Sequence, residues 1–258
     1  MSTDGETRDE NPCRIAVIAS TLLRMKRIGL LGGMSWESTT EYYSQINRGV
    51  AAKLGGLHSA DLVMVSFDFT RVTTLQAEDR WDEAAALLAG EAKKLEAAGA
   101  EAVLICTNTM HKVADEVQAA ISVPLLHLAD AIARAAKRVD ATRVGLLGTA
   151  FTMEQDFYRD RLEANGLEVS VPEADDRAEV HRIIFDEICQ GKRETASRER
   201  LVQIANALIE SGAEAIILGC TELELLLDPD ESPDVSVPLL PTARLHAAEA
   251  VAFALGED

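Results

Sequence analysis

From Lys26 onward the chain alternates between short apolar runs and longer stretches whose apolar residues recur three or four positions apart. RIGLLG reads as a buried strand, and from Trp36 to Leu54 the residues Tyr42, Tyr43, Ile46, Val50 and Leu54 fall at helical spacing. DLVMVSF, from Asp61 to Phe67, predicts a second strand. DEAAALLAGEAKKLEAAG is rich in the strong helix formers Ala and Leu, and Gly99 stands where a C-terminal cap belongs. AVLIC predicts a third strand running into a helix from about Met110 to Ile121, and VPLLHL a fourth strand. Strands separated by helices in this order predict an α/β fold, a parallel sheet covered on both faces.

The pattern then restarts. TRVGLLGTAFTMEQ (142–155) echoes KRIGLLGGMSWEST (26–39), GAEAIILGCTE (212–222) echoes GAEAVLICTNT (99–109), and SVPLLPTARLHA (236–247) echoes SVPLLHLADAIA (122–133). Gly29 and Gly145 are 116 residues apart, and Cys106 and Cys220, like Pro124 and Pro238, are 114 apart. Three matches in one order at nearly one offset predict two copies of one α/β unit, each of a size usual for a small domain. Residues 1–24 precede Met25 and the first strand, and are expected to be a disordered or dispensable extension.

Each copy ends a strand on Cys-Thr, at Cys106 and at Cys220. In open parallel α/β sheets, sites form outside the carboxyl ends of the strands, so two such units facing one another would bring the cysteines to opposite walls of one cleft. A cysteine at a helix N-terminus gains from the dipole and from free N–H groups, which favours thiolate. Thr107, Asn108, Thr109 and Thr221 supply donors suited to a carboxylate. A thiolate and a thiol across one carbon make an acid–base pair able to invert it. A single cysteine closing an apolar run is ordinarily a small core residue, but packing alone gives no reason for both copies to keep Cys-Thr at matched positions. Cys189, in AEVHRIIFDEICQG, has no such counterpart and is expected in the core.

Other chemistries are poorly provided for. His58, His111, His127, His181 and His246 show no metal-ligand spacing with the cysteines, so no metal is expected. GLLGGM follows a strand but does not match GxGxxG, and no acidic residue stands at the ribose-binding distance, which argues against a dinucleotide. The same turn, with Ser35 and the following helix start, suits a small carboxylate.

Composition narrows the remaining choices. Of 258 residues, 47% are hydrophobic and 26% charged, the profile of an ordinary globular protein. Asp and Glu total 43 against 25 Lys and Arg, a net charge of −18, so nucleic acid and acidic membrane surfaces are poor partners. Four cysteines, at 13, 106, 189 and 220, are too widely spaced for a disulfide scaffold, and a reducing cytoplasm is expected.

GLLGGMSWEST, LGGLHSADL, CTNTMHKVAD, GTAFTMEQDFYRDRL and GCTELELL together resemble the aspartate/glutamate racemase family, particularly its broad-specificity amino-acid racemase branch, from about Lys26 to the C-terminus. The resemblance implies two pseudo-symmetric lobes with the active site in the cleft between them. Lobe 1 would be 25–131 plus the C-terminal helix 242–258, and lobe 2 would be 132–241. It further implies a homodimer, and racemisation of amino acids through Cys106 and Cys220 with neither pyridoxal phosphate nor metal. Met34, Ser35, Asn108, Thr109, Thr149 and Thr221 match positions that contact the substrate's α-carboxylate and amino group. Two departures stand out. Glutamate racemases carry His after the second Cys-Thr where this chain has Glu222, and the stretch AAKLGGLHS lacks the basic residue that grips an aspartate side chain, Lys53 being the nearest cation. A broader substrate range, with neutral or polar side chains, is therefore expected. The alternatives are a related activity (hydantoin racemase, maleate isomerase or malonate decarboxylase) and a two-lobed amino-acid-binding protein without thiol chemistry.

Overall fold

A computed structural model describes residues 24–257. The expected extension, Arg24 excepted, and Cys13 lie outside them. The apolar runs form two parallel sheets. In the first, β1 (Ile28–Gly32) lies between β2 (Leu62–Ser66) and β3 (Ala102–Ile105). In the second, β4 (Arg143–Gly148) lies between β5 (Glu168–Ser170) and β6 (Ala215–Gly219), and β7 (Leu239–Pro241) adds to β6. β1, β3 and β6 are buried throughout, because strands covered on both faces must be apolar on both. The edge strand β2 alternates half-buried and exposed positions after its start.

The repeat in the sequence is thus a repeat of topology, with one difference. VPLLHL makes only a single bridge, Val103 to Leu125, where the second sheet has the full pairing of β6 with β7. The reason lies in the next residues. The His127 side chain accepts the Ala129 N–H and caps α5 (Leu128–Arg138), which turns the chain away before a strand can extend.

Before α5 come α1 (Trp36–Leu54), α2 (Phe69–Ala77), α3 (Trp81–Ala97) and α4 (Ala114–Ala120). After it come α6 (Ala150–Glu154), α7 (Asp156–Ala164), α8 (Ala174–Arg182), α9 (Thr195–Glu210) and α10 (Thr242–Leu255). Ser35 caps α1 by accepting the Ser38 N–H, and Tyr42, Ile46 and Val50 form its buried stripe. Tyr43 and Leu54 flank that stripe and are 53% and 40% exposed, so the inward face is narrower than the spacing predicted. α3 buries Ala84, Leu88, Ala92 and Leu95, and its chain reverses at Gly99 with φ +89°, a conformation other residues resist. The helix expected from Met110 begins as a 3₁₀ turn, Thr109–Val113, and becomes α-helical only at Ala114.

The cores follow from these faces. Ile28, Leu30, Tyr42 and Ile46 pack against Ala243, Ala247, Ala250 and Val251 of α10, so the last helix rests on α1 beside the first sheet. Gly49 permits this approach, since a Cβ there would lie 2.7 Å from Val251 Cγ2. α5 runs through the expected lobe boundary at 131/132, and its Leu128, Ile132 and Ala136 pack with Val144, Leu146 and Ile217 of the second sheet. Each such fully buried Leu or Ile contributes about 1.5–3 kcal/mol. Among the described residues no helix is long and apolar enough to cross a membrane.

Candidate active site

Cys106 follows β3 directly. Its N–H donates to the Leu31 carbonyl (2.9 Å) and its carbonyl accepts from Ser38 Oγ (3.2 Å), which ties the first cysteine turn to β1 and to the start of α1. The side chain is 0% exposed, and burial alone pushes its thiol well above the usual range. Cys220 occupies the same place after β6 but is only half-buried. Its Sγ donates to Glu222 Oε2 at 3.0 Å, and Oε2 also accepts the Thr221 hydroxyl at 2.7 Å. Burial, then the Glu222 charge, pushes the Cys220 thiol up. The expectation that both turns favour thiolate is therefore corrected. Each cysteine leads into a short 3₁₀ turn, Thr109–Val113 or Thr221–Leu225, whose dipole is too small to offset the loss of water around the sulfur.

Two hydrogen bonds join these turns. Asn108 Nδ2 donates to Thr242 Oγ1 (3.2 Å), and Thr242 Oγ1 donates to the carbonyl of Leu218 (2.9 Å), two residues before Cys220. Asn108 Oδ1 accepts from the buried Tyr158 hydroxyl (3.1 Å). Asn108 is thus largely committed to the scaffold, and one amide N–H is left for a substrate. Thr242 is 0% exposed, and an unpaired hydroxyl there would be costly.

The other expected contacts are spread around the strand ends. Met34 is 3% exposed and belongs to the buried cluster of Leu31, Val72 and Leu88, and Ser35 spends one lone pair capping α1. Thr109 opens the first 3₁₀ turn and is half-buried, as is Thr221. Thr149 precedes α6, with its Oγ1 3.3 Å from Thr152 Oγ1. The His181 ring accepts the neighbouring Ala150 N–H at 3.2 Å. Lys53, the nearest cation to the glycine stretch, pairs with Glu257 at the far end of α10.

Cys189 was expected in the core and is exposed. After α8 the chain passes through a π-helical turn, Ile183–Glu187, and a 3₁₀ turn, Ile188–Gln190; this shift of register gives the inward place to Ile188 and turns Cys189 outward. Its thiol is pushed up to about 11 by partial burial and by the charges of Glu222 and Glu37.

Three histidines gather behind the first turn. The His111 and His127 ring centroids are 4.7 Å apart, and those of His111 and His246 are 5.7 Å apart. His111 accepts the Leu128 N–H at Nε2, so its Nδ1–H donates to the Thr107 carbonyl at 2.8 Å. His246 meets the Tyr42 hydroxyl at 2.9 Å and the Leu126 carbonyl at 2.6 Å. Burial lowers all three to about 3, so they are neutral props of the turn. Behind the second turn stands an ion pair instead, Glu224 to Arg244 at 2.7 Å, in which burial raises the carboxyl to about 7.

Sequence reasoning missed the Glu222 contact, Tyr158 and Thr242. For Thr242 a signal existed: in the aligned repeat it stands where the first copy has Leu128, a polar residue at an apolar position.

Residues 31–250 match the family described as Asp/Glu/hydantoin racemase. The chain is 26% identical to the broad specificity amino-acid racemase RacX of Bacillus subtilis (strain 168), over 87% of this chain and 96% of that protein. Among solved structures, a proposed Asp/Glu racemase from Yersinia pestis is 49% identical, with a TM-score of 0.86, over 90% of this chain and 100% of that one. An aspartate racemase homologue from Pyrococcus horikoshii OT3 is 36% identical, with a TM-score of 0.80, over 89% of this chain and 99% of that one.

Proposed function

The chain belongs to the Asp/Glu/hydantoin racemase family, and from that premise we propose that this racemase-family enzyme interconverts L- and D-amino acids with its own two thiols as acid and base, using no pyridoxal phosphate and no metal. The observation that carries the reading is topological. Cys106 and Cys220 each follow the strand beside the first strand of their sheet, at the same place in two sheets that share one strand arrangement.

In this reading the substrate lies between the two cysteine turns. Its α-carboxylate meets Ser35, Thr109, Thr221 and the remaining N–H of Asn108, with Met34 and Thr149 closing the sides. A thiolate on one side takes the α-proton, and the electron pair left on Cα takes a proton from the thiol on the other side. The raised thiol pKa values suit this step, because a thiolate that is costly to form is also a stronger base toward a weak carbon acid. Exclusion of water strengthens the interactions that hold the carbanion's charge.

The substrate range in this proposal is broader than aspartate and glutamate. Supporting it, Lys53 is engaged by Glu257, and the charges that bear on the Cys220 thiol are anionic. A homodimer and a cytoplasmic location complete the reading and rest on the family resemblance.

The test is α-proton exchange by NMR in D2O for a panel of L-amino acids, with metal-free and cofactor-free protein, alongside chiral chromatography. Deuterium at Cα together with the D-isomer is the expected result. Binding of amino acids without exchange on any of them would overturn the reading.

A further inference from the structure

Glu222 is the residue at which the two cysteine turns part company. In the repeat it corresponds to Asn108, whose amide is turned from Cys106 toward Tyr158 and Thr242. Glu222 instead folds back over its own turn. Both hydrogen bonds accepted by its carboxylate come from that turn, from the Cys220 thiol and the Thr221 hydroxyl. A carboxylate placed only to cap the turn would accept a backbone N–H, and this one accepts none within the turn. Its half-buried position leaves a route from the carboxylate to water, which the fully buried Cys106 lacks.

Resting on the racemase reading above, we infer that Glu222 is a catalytic residue, its carboxylate taking the proton of the Cys220 thiol and returning it. Cys220 and Glu222 then act as one acid–base unit on one face of the substrate, and Cys106 acts alone on the other. When Cys220 is the base, its Sγ–H bond breaks with the electron pair staying on sulfur, and the proton forms a bond to Oε2 of Glu222. The thiolate next takes the α-proton, the Cα–H pair stays on carbon, and that pair captures the proton of Cys106. The enzyme is left with Cys220 as thiol, Glu222 neutral and Cys106 as thiolate. In the opposite direction Cys106 takes the α-proton, Cys220 donates to carbon, and Glu222 returns its proton to sulfur. Alternate turnovers in opposite directions need no reset, whereas successive turnovers in one direction require Glu222 to give its proton to water and the Cys106 thiolate to take one from water admitted as the product leaves.

Glu222→Gln keeps the shape and removes the base, and Glu222→Asp keeps the base with a shorter reach. With the full chain, and the amino acid that the wild type exchanges fastest, Glu222→Gln should slow α-proton exchange by about 100-fold or more. The loss in kcat/KM should be equal in the two directions, as an equilibrium constant of one requires, and Glu222→Asp should recover part of the rate. The second readout is the pH dependence of iodoacetamide alkylation, resolved by peptide mass spectrometry. Loss of the negative neighbour should move the Cys220 midpoint to lower pH in Glu222→Gln, so the thiol reacts faster while racemisation is slower. Cys106 should stay protected, which separates this result from unfolding. Wild-type exchange with Glu222→Gln within about threefold of it, or an unmoved Cys220 midpoint, would overturn the assignment alone. A wild type that exchanges no amino acid would overturn the racemase reading and this step with it.

Discussion

The turns after β3 and β6 both begin Cys-Thr and both enter five-residue 3₁₀ turns, yet they treat their sulfurs differently. The first encloses Cys106 completely, spends Asn108 on the scaffold and rests on three neutral histidines. The second leaves Cys220 half-buried, gives its thiol a carboxylate and rests on the Glu224–Arg244 pair. The repeat preserved the strand end that positions each thiol and let the surrounding polar groups diverge. Symmetry of fold therefore does not imply symmetry of chemistry, and the two thiols should differ in every property that depends on a neighbouring charge.

The largest effects break the comparison outright. Cys106→Ala and Cys220→Ala should each lower racemisation by at least about 1000-fold, measured by chiral chromatography, because either loss leaves one face without a proton carrier. Next comes acid, which acts on the first turn. His111, His127 and His246 titrate near 3 in the folded protein against 6.5 when free. Above about pH 6.5 all three are neutral in both states and their contribution is complete. Below it the unfolded chain binds protons that the native protein refuses. Stability should fall by up to about 1.4 kcal/mol per histidine for each pH unit between 6.5 and 3, seen as a dropping Tm. An unchanged Tm between pH 7 and 5 would show that these rings are not held neutral.

Smaller changes sharpen the comparison. Thr242→Val removes the hydroxyl joining the two turns and strands the Leu218 carbonyl and an Asn108 N–H; chemical denaturation should show a loss of about 2–3 kcal/mol. Tyr42→Phe, which deprives only His246 of a partner behind the first turn, should cost about 1–2 kcal/mol. Cys189→Ala, at an exposed position, should lie within about 0.5 kcal/mol of wild type.

Much of this was legible in the chain. Short apolar runs gave β1 and β3, and helical spacing and composition gave α1 and α3, nearly to the residue; the internal repeat announced two sheets with a cysteine after an equivalent strand in each. What escaped depends on side-chain direction or on distant segments meeting. Nothing in CTEL says that Glu222 turns back on Cys220 while Asn108 in CTNT turns away. The histidine cluster draws on the segment after β3, the start of α5 and α10, and no local spacing announces it. Cys189 was misplaced because a π-helical turn shifted the register that the helical pattern assumed.

The claim that the thiols work on opposite faces of one substrate is tested most directly by a short reaction of an L-amino acid in D2O, with the enantiomers separated before mass spectrometry. Two bases predict that the first D-product carries deuterium at Cα while the unreacted L-substrate keeps its proton. A D-product that retains the substrate's own proton, or deuterium entering both enantiomers equally from the start, would mean one base serving both faces and would contradict the account.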